Sequence, residues 1–318
     1  MESTIDSQFP CIDFTTDPQN LQEGTEGWKD LCDQVREACE SYGSFQVLYN
    51  KIPSDLSESV FNECKGLFDL PDETKLKNLN PKPYFGYLGK SDMLPFYEGF
   101  GIEDAPLPGA VEAFSNCMWP DGNPKFCKTL NSISTKLQEL ELIIVKMLCE
   151  IYGVDKYYES QAESIQNLFR IMKYKLPRES NSVIVLGAHT DKGSLTILSQ
   201  DGVQGLEVLS NRCEWLQVPP VKGTFVVFIG ETLKAWSNGR LRAAKHRVIM
   251  SGEKERYSYA LFASPNEGVV VEIPKELVDK DHPLLYKPFN FMDFLYHFYN
   301  DDFSNEHPLE TYAGILPI

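Results

Sequence analysis

The stretch "VIVLGAHTDKGSLTIL", residues 183–198, places a histidine and a carboxylate between two apolar runs. Alternate residues of a strand point to the same face, so His189 and Asp191 project together if the first run is a strand. A buried carboxylate without a partner costs roughly several kcal/mol, and a divalent metal ion is one suitable partner. Such pairs also arise by chance, so a buried His–Asp hydrogen bond without a metal ion is the competing interpretation.

Apolar runs of strand length continue on both sides of this stretch, from about residue 165 to residue 265. They recur roughly every 8–12 residues, as in an all-β sandwich or barrel, and include "NLFRIMKY", "TFVVFIG", "HRVIM" and "RYSYALFAS". The sequence therefore predicts a mainly β core.

Outside this region the apolar residues fall at helical spacing, notably over 28–42, 54–69 and 124–152. We therefore expect an α+β protein in which helices surround the β core as a single unit. Its three parts are a mostly helical region at 1–165, the core at 166–270 and a C-terminal helical region at 271–318.

Two further signals lie downstream of the His-x-Asp pair. His246 heads the apolar run "HRVIM", and Arg256 and Ser258 stand two residues apart in the next run. Two histidines and one carboxylate form the facial triad of non-haem Fe(II) oxygenases, which leaves coordination positions open. An arginine and a serine on one strand face offer a forked cation and a hydroxyl, the groups that hold a carboxylate.

In order and spacing, these motifs and "SNG" at 237–239 resemble the core of the plant 2-oxoglutarate- and Fe(II)-dependent dioxygenases. Stretches such as "PKPYFGYLG", "MWPDGNPKFC" and "LKAWSNGR" are similar to the branch that contains the glucosinolate side-chain dioxygenases and the auxin-oxidising dioxygenases. The resemblance implies a distorted double-stranded β-helix, or jelly roll, as the core. It also implies Fe(II), 2-oxoglutarate as co-substrate, dioxygen, and ascorbate as reductant. The expected reaction is hydroxylation, desaturation, demethylation or ring closure of a small specialised plant metabolite or hormone.

The resemblance also assigns roles to residues of the expected site. His189, Asp191 and His246 are the expected iron ligands and catalytic centre, and Arg256 and Ser258 are expected to bind the distal carboxylate of 2-oxoglutarate. Tyr174 stands where relatives place a tyrosine that contacts the co-substrate. Many relatives have asparagine two residues before that tyrosine, whereas this chain has Met172, which removes a polar contact or replaces it with packing.

Substrate contacts are expected from both strands and a loop. Phe262 and Arg170 fall on the same strand faces as Ser258 and Tyr174, respectively. A cation facing an aromatic cavity needs a partner, which is either a substrate anion or an internal Asp or Glu. The stretch at 81–125 is rich in Pro and Gly and is therefore expected to be a loop. Three of its residues are expected to complete an aromatic wall: Tyr84, Phe96 and Tyr97.

Composition limits the partners of the protein. The 318 residues carry a net charge of −16, which disfavours nucleic acid and anionic membranes. The eight scattered cysteines and the polar N-terminus "MESTIDSQFP" predict a reduced, cytoplasmic protein. We expect a monomer that acts on a small molecule.

Two other functions fit the same motifs. One is an Fe(II) oxidase of the same fold that does not use 2-oxoglutarate and whose Arg-x-Ser pair holds another carboxylate. The other is a catalytically silent relative that binds a small acid.

Overall fold

A computed structural model describes residues 9–15, 21–92, 94–175, 182–252, 254–300 and 305–315. Within these ranges, the strands are β1 Cys11–Asp13, β2 Ser44–Leu48, β3 Tyr97–Glu103, β4 Ile165–Tyr174, β5 Ser182–His189, β6 Leu195–Gln200, β7 Leu206–Leu209, β8 Trp215–Gln217, β9 Thr224–Ile229, β10 His246–Ser251, β11 Arg256–Pro265, β12 Val270–Val271 and β13 Phe289–Asn290. The α-helices are α1 Glu26–Ser41, α2 Ser54–Phe68, α3 Asp72–Lys75, α4 Ala110–Met118, α5 Pro124–Ile151, α6 Tyr158–Glu163, α7 Glu231–Trp236, α8 Phe291–Asn300 and α9 Pro308–Ala313.

Two antiparallel sheets form the core of the jelly roll. The large sheet has seven strands in the order β1-β2-β9-β6-β11-β4-β3, and the small sheet has four in the order β5-β10-β7-β8. All neighbours pair antiparallel except β1 and β2. Strands β1, β2 and β3 come from the first 165 residues, so the N-terminal region extends the large sheet at both of its edges.

The two faces of the large sheet bury different side chains. On β4, Phe169 and Ile171 face a cluster of apolar residues that also includes buried residues of α1, α2 and α5, whereas Met172 and Tyr174 belong to a second cluster. The second cluster also contains Val185 and other residues of the small sheet. Strand alternation therefore separates a helix-covered face from an inner face that looks into a chamber between the two sheets.

The long helix α5 lies across the helix-covered face. Asn123 caps its N-terminus by accepting a hydrogen bond from the Phe126 backbone N–H, and Pro124 begins the helix, where its missing N–H costs nothing. Gly153 follows the helix with a φ of 64°, a conformation that favours glycine. The helices predicted over 28–42, 54–69 and 124–152 correspond to α1, α2 and α5.

The expectation of a loop over 81–125 is wrong for two segments, because β3 and α4 lie within it. The glycines of "YEGFGIE" had suggested a loop. A Cβ at Gly101 would collide with the backbone carbonyl of Phe85, and a Cβ at Gly99 would crowd Arg170. These glycines therefore permit close packing against a regular strand, and Tyr97 is a strand residue.

Candidate metal and co-substrate site

The three expected metal ligands meet at the mouth of the chamber. His189 ends β5 and His246 begins β10, and the two residues are directly paired across the strands. Asp191 Oδ1 lies 3.9 Å from His189 Nε2 and 3.8 Å from His246 Nε2. One ligand atom from each residue lies within 4.8 Å of the other two. These three ligand atoms, two imidazole nitrogens and one carboxylate oxygen, can occupy one face of the coordination sphere of an Fe(II) ion.

The two histidines are oriented so that Nε2 remains available. His189 Nδ1 lies 2.9 Å from the Gly187 carbonyl, and His246 Nδ1 lies 3.0 Å from the Ala244 carbonyl. A proton on each Nδ1 satisfies these contacts and leaves the Nε2 lone pair for a metal ion. Burial and the neighbouring His246 lower the pKa of His189 to about 4, so its ring is neutral near pH 7.

Asp191 is held in place by a residue that sequence reasoning missed. Thr196 on β6 donates a 2.6 Å hydrogen bond to Asp191 Oδ2, so the other oxygen, Oδ1, faces the histidines. Thr196 is a polar inward residue between apolar neighbours in "LTILSQ", and that position was the available signal. Phe228 supports the site from another strand, because its ring stacks on His246 at a centroid distance of 4.3 Å.

The turn that carries Asp191 rests on a buried ion pair. Lys192 Nζ lies 2.6 Å from Glu231 Oε1 and donates to the Thr190 carbonyl, and the Glu231 backbone N–H donates to the Asp191 carbonyl. Gly230 allows the start of α7 to lie against the turn that carries Asp191, because a Cβ at this position would collide with the backbone of Gly193. The start of α7 therefore fixes the backbone between the first two expected ligands.

Arg256 is fully buried, and part of its guanidinium group has no partner. Its Nη2 donates a 2.8 Å hydrogen bond to Gln200 Oε1, whereas Nε and Nη1 have no partner among the described residues. The Ser258 hydroxyl, also buried, makes no hydrogen bond of normal geometry in the described part of the chain, although Ser258 and Arg256 both lie close enough to the Tyr174 hydroxyl to oppose the rise in its pKa. The carboxylate of Asp201 acts on Arg256 from beyond ion-pair distance and accepts the backbone N–H groups of Tyr257 and Val203. Burial lowers the pKa of Arg256.

Tyr174 lies opposite Arg256 in the β4–β11 register, and its ring centroid is 5.0 Å from the guanidinium carbon. Burial raises the pKa of Tyr174 to about 12. Its hydroxyl donates only to the Met172 sulfur, 3.6 Å away, which is a weak acceptor. Met172 is opposite Ser258 and packs in the chamber cluster. Packing and a soft contact to Tyr174 thus take the place of the amide that the resemblance implied.

Arg170 also points into the chamber, but it is hydrogen-bonded to neutral groups. Its Nη1 donates to the carbonyls of Tyr84 and Gly86, and its Nη2 donates to the Tyr97 hydroxyl at 3.2 Å. The internal Asp or Glu that sequence reasoning offered as one partner is not found among the described residues. Tyr84 itself adopts a left-handed conformation with a φ of 68°.

The aromatic residues expected near the substrate are brought together only in part. Phe262 is partly buried against α8 and packs in the same cluster as Tyr84. Tyr97 is buried and meets Tyr174 edge-on at 5.5 Å. Phe96 packs at the edge of the chamber cluster. Phe291, Met292 and Leu295 of α8 belong to the same small cluster as Phe262 and Tyr84.

Comparison with known proteins decides the family. The family model described as the 2OG-Fe(II) oxygenase superfamily matches residues 163–265, and the model for the N-terminal region of non-haem dioxygenases in morphine synthesis matches residues 9–120. A protein of Arabidopsis thaliana named as a probable 2-oxoglutarate-dependent dioxygenase, AOP1.2, is 39% identical over 301 residues. The alignment covers 93% of this chain and 92% of that protein. This chain belongs to the 2OG-Fe(II) oxygenase superfamily.

Solved structures give the same family and the same fold. The dioxygenase for auxin oxidation 1 of Arabidopsis thaliana, solved with 2-oxoglutarate, is 29% identical with a TM-score of 0.79, and the match covers 87% of this chain and all of that one. The rice dioxygenase for auxin oxidation is 31% identical with a TM-score of 0.79, over 92% and 95% of the two chains.

As a member of the superfamily, the chain is an oxidoreductase that uses Fe(II) and 2-oxoglutarate and acts on a small molecule. The expectations for reaction class, iron, co-substrate and jelly-roll fold are therefore confirmed. Within the described residues, no helix is long and apolar enough to cross a membrane.

Proposed function

We propose that His189, Asp191 and His246 hold Fe(II), and that Arg256, Ser258 and Tyr174 hold the distal carboxylate of 2-oxoglutarate. On this assignment the protein oxidises a small specialised plant metabolite or hormone. The relatives support this class, because their names include dioxygenases for auxin oxidation. The chamber residues Phe262, Tyr84, Phe96 and Tyr97 would contact the body of the substrate.

The unpaired guanidinium of Arg256 carries this proposal. A fully buried cation with no ion pair is costly, unless a ligand supplies the missing charge. The free groups Nε–H, Nη1–H and the Ser258 hydroxyl lie on one strand face with the Tyr174 hydroxyl opposite. These donors match the lone pairs of one carboxylate.

The residues of the chain have distinct tasks in the reaction. The bound iron and 2-oxoglutarate supply activation of dioxygen, decarboxylation of the co-substrate to succinate and oxidation of a substrate C–H bond. The Nδ1–H groups of His189 and His246 donate to backbone carbonyls, which fixes the direction of each Nε2. Thr196 keeps one Asp191 oxygen away from the centre. Phe228 and the surrounding apolar residues exclude water from the reacting atoms.

The test measures 2-oxoglutarate binding and succinate formation with purified, Fe(II)-loaded protein. The wild type should form succinate slowly even without a main substrate. Arg256→Gln should weaken 2-oxoglutarate binding by roughly 10- to 100-fold, because charge-assisted hydrogen bonds are lost. Arg242→Gln is the matched control, since Arg242 donates only to backbone carbonyls outside the chamber. Fe(II)-dependent turnover without 2-oxoglutarate would favour the alternative oxidase, and binding without succinate would favour the silent relative.

We further propose that the chain acts as one dioxygenase unit, as a monomer in the cytoplasm, with ascorbate as reductant and without nucleic-acid or membrane partners. Three N-terminal strands complete the large sheet, and buried residues of all three regions share one apolar cluster, which supports a single unit across regions 1–165, 166–270 and 271–318. All eight cysteines are free thiols, as a reducing compartment would keep them. The net charge of −16 supports the absence of nucleic-acid binding.

A further inference from the structure

The buried cations of this protein differ in whether a carboxylate lies beside them. Lys75 lies 2.7 Å from Glu98, and Lys173 lies 2.9 Å from Glu255, so each buried lysine has a carboxylate. The two buried arginines, Arg170 and Arg256, have no carboxylate within ion-pair distance among the described residues. Both arginines face the chamber, whereas Lys75 and Lys173 lie on the helix-covered side and the buried Lys192 pairs with Glu231 beside the metal site. The missing negative charge is therefore specific to the two arginines of the chamber.

We propose that Arg170 recognises an anionic group of the main substrate, so that the substrate is a small acid with an apolar body. This inference rests on the proposed function, because the carboxylate of 2-oxoglutarate is assigned to Arg256. The Arg170 side chain is 5% exposed, so its charge is poorly hydrated. Carbonyl and hydroxyl oxygens satisfy its hydrogen bonds but do not neutralise its charge.

The strands on either side of Arg170 place small residues beside it. Its neighbours in register are Ala260 on β11 and Gly101 on β3, and both are small. A Cβ at the adjacent Gly99 would lie 2.8 Å from Arg170 Nη2 and 2.5 Å from the Tyr97 hydroxyl. The absence of a side chain at Gly99 therefore gives the guanidinium room against β3, whereas the room at Gly101 is taken by the Phe85 carbonyl.

Arg170 lies beside the proposed co-substrate site and not within it. On β4 it is two residues from Met172, which is opposite Ser258, and this corresponds to roughly 7 Å along the strand. Its partner Tyr97 meets Tyr174 edge-on, and Tyr174 covers the Arg256 guanidinium. Because the Tyr97 hydroxyl accepts from Arg170, its own proton is available to a second oxygen. One anion can thus bind Arg170 and Tyr97 while another occupies Arg256.

The other side of Arg170 is apolar. Leu168 lies two residues along the same strand face and packs with Phe262 and with Phe291 and Leu295 of α8. A cation and a hydroxyl at one end of an apolar wall select a molecule with one charged end. A polyanion or a neutral, strongly polar compound fits this arrangement less well.

The test uses paired probes of known charge. The protein is loaded with Mn(II) and N-oxalylglycine, an unreactive analogue of 2-oxoglutarate, so that Arg256 is occupied. Phenylacetate, cinnamate and hexanoate, each with its primary amide, are then titrated calorimetrically. We expect at least one carboxylate to bind about tenfold or more tightly than its amide, and Arg170→Gln to remove that difference while amide binding is unchanged.

Gly99→Ala is the second variant, because it retains Arg170 but displaces its Nη2 group and the Tyr97 hydroxyl. It should reduce the carboxylate preference while the protein remains folded, as circular dichroism would check, although the crowding is expected to lower the melting temperature. Arg242→Gln should keep the full preference. The inference is wrong if the wild-type protein binds no carboxylate more tightly than its amide, or if Arg170→Gln keeps the preference. In that case Arg170 only stabilises the loop around Tyr84. Failure of Mn(II) or N-oxalylglycine to bind would instead contradict the proposed function.

Discussion

The two faces of the seven-stranded sheet are built from the same strands but bury charge in opposite ways. On the helix-covered face, Lys173 meets Glu255 at 2.9 Å and its ammonium group lies over the ring of Tyr257. On the chamber face, Arg256 and Ser258 of β11 keep unpaired donors among the described residues. Folding alone does not produce the second arrangement, because unpaired buried donors destabilise a protein. The unpaired donors of the chamber face are therefore explained by the binding of a ligand.

Glu141 tests this comparison, because it is buried on the helix-covered side and has no cation beside it in the described structure, where the neutral amide of Asn167 is the polar group that opposes the rise in its pKa. Burial raises its pKa to about 8, so the group is largely protonated at neutral pH. The helix-covered face thus neutralises charge in two ways, by ion pairing and by protonation. Arginine cannot lose its proton in this manner, so Arg256 and Arg170 remain charged.

The largest expected effect is the loss of the metal centre. Asp191→Ala removes the carboxylate among the three proposed protein ligands, and turnover should fall by roughly a thousandfold or more, since a bound metal lowers the activation barrier by several kcal/mol. Succinate formation and Mn(II) binding measure the loss, and circular dichroism checks the fold. Asp30→Ala, an exposed change on α1, should have no effect. Normal turnover by Asp191→Ala with added Fe(II) would contradict the ligand assignment.

A smaller effect is expected from a conservative change at Arg256. Arg256→Lys keeps the charge but loses the fork, so the apparent affinity for 2-oxoglutarate should fall about tenfold or more while the affinity for a main substrate changes little. The reverse change on the other face, Lys173→Arg, keeps the ion pair with Glu255 and should leave both affinities unchanged. Equal losses for co-substrate and substrate would indicate a general packing role for Arg256.

The sequence predicted the parts of the site that follow from strand alternation and from residue order. His189 with Asp191, and Arg256 with Ser258, are pairs that a period of two places on one face. The partners of Arg170 were not predictable, because the carbonyls of Tyr84 and Gly86 reach it through a loop whose path the sequence does not specify.

Other features depend on contacts between distant segments. The glycines of β3 resembled a loop, since the close approach of Phe85 to Gly101 becomes visible only in three dimensions. Thr196 was overlooked although alternation marks it as an inward polar residue, because its partner Asp191 lies in the preceding turn. Helices α1 and α5 were predictable from apolar spacing alone, since their stripes repeat over several turns.

Thr196→Val should weaken the metal site without removing a ligand. The change keeps the shape of the side chain and loses the 2.6 Å hydrogen bond to Asp191 Oδ2, so Mn(II) affinity should fall about tenfold. Competition with a coloured chelator measures this change. Thr129→Val is the matched control, since Thr129 is a buried threonine on α5. Unchanged Mn(II) affinity in Thr196→Val would show that Asp191 is oriented by its backbone alone.

The smallest effect on turnover is expected at Glu141, where the comparison predicts a change in stability that depends on pH. The folded-state pKa of about 8 lies above the ordinary value of 4.5, so the native protein holds a proton that the unfolded chain releases. The free energy of unfolding of the wild type should therefore fall as pH rises from about 4.5 to about 8. Glu141→Gln stays neutral, so its free energy of unfolding should match that of the wild type near pH 4 and exceed it at pH 8 by on the order of a few kcal/mol.

Glu139→Gln, an exposed change on the same helix, should follow the wild type throughout. If denaturant titrations give Glu141→Gln and wild type the same pH dependence, Glu141 does not hold an extra proton in the native protein. The helix-covered face would then bury an ionised carboxylate whose charge a partner compensates.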